Sequence, residues 1–108
     1  MKYVTIHTTS DEHVDDVPST KCQFELAREL VGEMLSLGIT DARMDEHAYV
    51  YGSIPASPGY EDRPCLGLIA HMDTSPDASG ENVKPMIWEN YDGTDIALKN
   101  GRTISVSQ

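Results

Sequence analysis

The residues best suited to chemistry lie together in Ala70-His71-Met72-Asp73-Thr74-Ser75-Pro76-Asp77. An imidazole and a carboxylate two positions apart face the same side of an extended chain. In that arrangement His71 can offer one ring nitrogen to a metal ion, while Asp73 fixes the orientation and tautomer of the ring from behind. The same spacing also suits a turn in which the histidine is simply hydrogen-bonded, and H-x-D alone does not separate the two. Position adds weight to the first, because the pair follows the apolar run Cys65-Leu66-Gly67-Leu68-Ile69-Ala70. Such a run reads as a strand buried on both faces, and α/β proteins assemble their sites at the C-terminal ends of such strands.

The elements that must position this pair come from the rest of the chain. Cys22, Leu26, Leu30 and Met34, with Ala27, Val31 and Leu35 beside them, recur at helical steps. Thr20 and Gln23 have the spacing of a capping box, Pro18 stands upstream, and Gly38 supplies a left-handed stop. Tyr3-Val4-Thr5-Ile6 is a short alternating segment. Residues 42–45 and 48–54 read as a hairpin turning at Asp45-Glu46-His47, and residues 56–64 as a loop with two prolines. Residues 96–98 and 102–106 read as two short strands around the Asn100-Gly101 turn. A helix, a hairpin and a buried strand make an α/β opening, with the helix packed on a mixed sheet.

Composition limits the possibilities. The 108 residues carry 18 Asp or Glu against 8 Lys or Arg, a formal charge of −10. Leu, Ile and Val occur seven times each and Phe once, about a fifth of the chain, which is the margin at which high charge begins to suggest disorder. The acidic balance argues against nucleic acid and anionic membrane as partners, since both require clustered cations. No apolar stretch approaches a membrane span, and Met1 to His7 lacks the apolar region of a signal peptide. Cys22 and Cys65 lie far apart with no C-x-x-C, so a disulfide scaffold is not indicated, and both read as small buried hydrophobes. The expected compartment is the cytoplasm.

Other side chains have functional readings beside plainer ones. His7 and His13 flank an acidic loop, where Asp11 or Asp15 could join them at a surface metal site; a solvated loop is the plainer alternative. His47 falls in a turn, and Trp88 is expected to pack near the site loop. Met34, Met44, Met72 and Met86 suit gap filling.

Residues 66–75, Leu-Gly-Leu-Ile-Ala-His-Met-Asp-Thr-Ser, resemble the first signature of the M20 family of zinc exopeptidases: apolar strand, small residue, H-x-D, Thr, small residue. The Thr-rich residues 5–10, Val17-Pro18-Ser19-Thr20, and the continuation through Ser79-Gly80-Glu81-Asn82-Val83-Lys84-Pro85 to Ile96 extend it to almost the whole chain and narrow it to the tripeptide aminopeptidases. The resemblance implies a two-zinc centre in which His71 is a ligand of one ion and Asp73 its orienting carboxylate. Water attack then releases the N-terminal residue of a short peptide. It also implies that residues 1–108 are the N-terminal part of a catalytic domain, cut at both ends. The bridging aspartate, the general-base glutamate, the other ligands and a lid domain that pairs two subunits would then lie outside it. One zinc ligand would be present and the piece inactive by itself. Asp77 and Glu81 are candidates for the pocket wall, with solvated loop acids the plainer reading. Other outcomes are a non-catalytic truncated relative or association module, or another M20 hydrolase such as a dipeptidase or aminoacylase.

Overall fold

The structure is a computed structural model and describes residues 1–106. Helix α1 spans Gln23–Ser36, strands β1 and β2 are Arg43–Met44 and Val50–Tyr51, and β3 and β4 are Ile96–Ala97 and Thr103–Ile104. The strands form two separate antiparallel hairpins. Arg43 faces Tyr51 and Met44 faces Val50 in the first, while Ile96 faces Ile104 and Ala97 faces Thr103 in the second. Among the described residues, parallel pairing is confined to a single bridge between Thr9 and Thr74. The mixed sheet expected from the sequence is therefore replaced, among the described residues, by small antiparallel sheets.

Helix α1 forms where its apolar spacing requires. Its inner face buries Leu26, Ala27 and Gln23, and the helix packs on the β1–β2 hairpin. Its entry differs from the expected capping box. Gln23, Phe24 and Glu25 donate their N–H groups to the carbonyls of Thr20, Lys21 and Cys22, three residues back. The first orphan donors are thus satisfied by a tight backbone turn. The Thr20 hydroxyl instead donates to the Thr9 carbonyl at 2.7 Å and accepts from the Gln23 side-chain amide at 3.1 Å.

The helix ends as its glycine predicts. Gly38 sits at φ +90°, its N–H bonds the Leu35 carbonyl, and the Ile39 N–H reaches back to Met34. This pair of bonds is the Schellman stop, and it brings Ile39 over Met34. Both side chains crowd Gly52, where an added Cβ would stand 2.7 Å from Ile39 Cγ2. The first hairpin closes through Asp45, whose Oδ1 accepts the N–H groups of His47 and Tyr49 at 3.0 and 2.9 Å. Ala48 takes the left-handed position there at φ 63° and is fully buried. In the second hairpin Gly101 holds that role at φ 78°.

Beyond β2, Asp41 ties down the chain by accepting the Ser53 N–H at 2.9 Å and the Ser53 hydroxyl. The Ser53 hydroxyl and then its N–H hold the Asp41 carboxyl below the ordinary aspartate range. A carboxyl with a lowered folded-state pKa stabilises the fold above its unfolded pKa, and that contribution is lost as pH falls through the folded value. Carboxyl NMR is expected to show Asp41 titrating below the usual value of about 4, and Ser53→Ala, which removes the hydroxyl and keeps the N–H, is expected to raise it part of the way back. Titration at the ordinary value in the unsubstituted chain would show that this tie does not form.

In the alternating segment at residues 3–6, Tyr3–Thr5 form a 3-10 turn, held along α1 by Tyr3 with Glu33 and Lys2 with Glu29. The expectation of a buried strand is corrected. Residues 65–70 are not a buried strand. They carry no regular structure, and Leu66, Leu68 and Ile69 are 81%, 90% and 100% exposed. An extended apolar run is buried only where neighbouring strands and covering helices meet it, and the described residues bring neither. Cys65 is accordingly exposed and Cys22 half-buried, so the expectation of two buried thiols fails for the same reason. Trp88 and Met86 are exposed as well, where burial had been expected of both.

The buried hydrophobic residues are Leu26, Ala27 and Ala48 alone among those described. The radius of gyration is 18.4 Å, against about 13 Å for a compact domain of this length. The accessible surface is 9093 Å², against about 6,000 Å² for a compact protein of this mass.

Candidate functional site

The site loop begins where the exposed apolar strap ends. His71 Nδ1 lies 3.0 Å from Asp73 Oδ1, so the pair expected from the sequence is brought together. With the proton on Nδ1 donated to the carboxylate, the lone pair of Nε2 is left free to meet an electrophile. The His71 side chain is 85% exposed and that of Asp73 36%, so the imidazole faces outward while the carboxylate sits behind it. The hydrogen bond from His71 lowers the Asp73 pKa; partial burial opposes this, and the Ser10 hydroxyl adds to the lowering.

What places the pair is the Thr-rich segment near the N-terminus. Thr74 donates its N–H to the Thr8 carbonyl at 3.1 Å, and its own carbonyl accepts the Ser10 N–H at 3.0 Å. The Ser10 hydroxyl donates to the same carbonyl at 3.2 Å, and the Thr9 and Thr74 hydroxyls meet at 3.3 Å. Gly80 closes the far side of this cluster. A Cβ there would stand 2.6 Å from Thr9 Oγ1 and 3.1 Å from Thr74 Oγ1, so glycine is what allows the loop to fold back this closely.

Two cavities flank the strap and the site. One of about 690 Å³ lies among Tyr3, Ile6, Leu26 and Leu30 and the loop residues His71 and Asp77. The other, of about 660 Å³, lies between α1 and the first hairpin and is lined by His47, Tyr49, Ile69, His71 and Asp73. His71 stands at the rim of both.

The remaining candidates fall as follows. Asp77 lines the first cavity and accepts the Ser75 hydroxyl at 2.7 Å. Glu81 lies 3.7 Å from His7 Nδ1. His13 is paired with neighbouring Glu12 on the surface, so neither His7 nor His13 meets Asp11 or Asp15 as a metal pair. His47 is in the turn, exposed, with Nδ1 3.2 Å from the Val17 carbonyl. Among the described residues no three His, Cys, Asp or Glu side chains come together as a metal cage. A catalytic zinc generally takes three protein ligands, so His71 suits one coordination position, and these residues do not make a complete site. The part played by Ser10 and Thr74 was missed by sequence reasoning. Its only sequence trace is the density of hydroxyl residues from Thr5 to Ser10.

No family model matches the chain. Along its whole length, however, the chain is similar to proteins named peptidase T. It is 51% identical over 108 residues to that of Alkaliphilus oremlandii, which covers 99% of this chain and 26% of the relative. It is 47% identical to that of Clostridium perfringens over 107 residues, and 48% identical to that of Aliivibrio fischeri over 109, each again 26% of the relative. The chain thus spans about a quarter of the length of the curated relatives it matches.

Proposed function

We propose, from the similarity of this chain to about a quarter of peptidase T, that it is the N-terminal part of the catalytic domain of a zinc-dependent tripeptide aminopeptidase of the M20 type. The observation that carries the proposal is the His71–Asp73 hydrogen bond, set in the stretch where the sequence resembles the first metal signature of that family. Asp73 accepts the Nδ1 proton, fixes the tautomer and turns Nε2 outward. His71 would then hold one of two zinc ions through Nε2, with the remaining ligands supplied by residues outside this chain. Bound there, the metal would supply Lewis-acid polarisation of the scissile carbonyl and activation of a water. The cavity beside His71, with Asp77 in its wall, is the side from which a short peptide would approach. With one ligand of its own the chain does not hydrolyse peptides alone. The complete enzyme works in the cytoplasm and pairs through a second domain.

The test is a chimera in which these 108 residues replace the matching quarter of the Alkaliphilus oremlandii relative. With zinc, the chimera is expected to release the N-terminal residue of tripeptides, and the 108 residues alone are expected to release none. A folded chimera with no such activity would overturn the proposal. A second reading, a non-catalytic association module, draws support from the exposure of Leu66, Leu68 and Ile69. It is favoured if the chimera is folded and zinc-loaded yet inactive.

A further inference from the structure

The His71–Asp73 pair is exposed and local, and two residues in an extended loop do not hold one geometry unaided. The backbone of the neighbouring residue, Thr74, is fixed on both sides: its N–H by Thr8 and its carbonyl by Ser10. Ser10 is the only one of these partners to bind through both main chain and side chain, its N–H and hydroxyl converging on the Thr74 carbonyl at 3.0 and 3.2 Å. Its own position is secured from α1, because the Thr20 hydroxyl at the head of that helix donates to the Thr9 carbonyl at 2.7 Å.

We propose that Ser10 is the positioning residue of the His71–Asp73 pair: anchored through Thr9 to the head of α1, it clamps the Thr74 carbonyl and so holds Asp73 against His71 Nδ1. The inference rests on the reading of His71 as a metal ligand and adds the residue that prepares it. Ser10 touches neither substrate nor metal. It acts by keeping the proton on Nδ1 and the lone pair on Nε2, the state in which an imidazole can bind a metal from that nitrogen. The Ser10 N–H bond alone would leave the Thr74 carbonyl held at one point, about which the loop can turn.

The test is the tautomer of His71, read by long-range ¹H–¹⁵N spectra of the 108-residue chain with labelled histidine, at a pH where the ring is neutral. In the unsubstituted chain the Nδ1–H form is expected to predominate. Ser10→Ala is expected to reduce it to a minority, and Ser10→Thr, which keeps the hydroxyl, to restore it. An unchanged tautomer in Ser10→Ala, with only the Thr74 amide shifted, would make Ser10 a structural tie and overturn the proposal. So would a mixed tautomer in the unsubstituted chain. If Ser10→Ala loses helix content by circular dichroism, Ser10→Thr decides alone: retention of the Nδ1–H form supports the proposal and its loss overturns it. The metal reading is tested separately. An inactive chimera with the Ser10-dependent tautomer intact would remove the peptidase and leave the inference standing. An active chimera whose pH–rate profile is unmoved by Ser10→Ala would do the reverse.

Discussion

Replacing His71 by alanine in the active chimera is expected to lower tripeptide hydrolysis on the order of 10³-fold or more, the scale of losing a group that acts as part of a catalytic unit. Among the described residues no second imidazole stands ready to substitute. His7 is engaged with Glu81 and His47 points Nδ1 at the Val17 carbonyl. The partner residue is expected to behave differently. Asp73→Asn keeps the size of the side chain but can present its amide rather than an acceptor to Nδ1, which favours the wrong tautomer. Loss of such an orienting carboxylate costs about 10- to 100-fold in metal affinity or activity. The check is the pair of kcat/KM values at saturating and at limiting zinc. Excess zinc should recover much of the Asp73→Asn defect and little of the His71→Ala defect. Equal and unrecoverable losses would mean that Asp73 does more than orient the ring, and no loss in His71→Ala would remove it from the site.

The second large effect is expected in the core. Leu26 is the one large apolar side chain buried among the described residues, at 6% exposure, with Ala27 and Ala48 as its buried companions. Truncating a buried leucine to alanine costs about 2 to 5 kcal/mol. Leu26 already borders the first cavity, so fewer contacts are lost and the lower end, about 2 kcal/mol, applies. That is roughly a 30-fold shift in the folding equilibrium, in a chain whose charge of −10 and thin core leave little reserve. Urea titration followed by helix ellipticity should show a markedly lower midpoint for Leu26→Ala. Leu37→Ala, at a position 74% exposed, should stay within about 0.5 kcal/mol. Equal midpoints for the two would show that α1 is not held through its inner face.

Helix α1 was legible because its signals are local and redundant: apolar residues at three- and four-residue steps and Gly38 at the stop. The two hairpins were legible from their turns, Asp45-Glu46-His47 and Asn100-Gly101, whereas the left-handed position of Ala48 in the first carries no sequence signal. The strap at residues 65–70 was misread because a continuous apolar run records what a segment needs, not what surrounds it. In the described residues the need is unmet and Ile69 stands fully exposed. At the site, the spacing of His71 and Asp73 could be read directly. The ties from Ser10 and Thr9 could not, since hydroxyl side chains follow no period and their partner lies more than sixty residues along the chain.

The single bridge between Thr9 and Thr74 closes a loop spanning 65 positions. The entropy of bringing such ends together grows as the logarithm of the loop length and amounts to about 4 kcal/mol here. The helix and the first hairpin close far shorter loops and repay each residue fixed with a bond. In a growing polypeptide they can form first, before residue 74 exists to be captured. The histidine pair is thus attached, among the described residues, by the closure that costs the most chain entropy. On heating it is expected to come free before the helix unwinds, so that the Thr74 amide signal and the helix ellipticity are lost in two separate transitions.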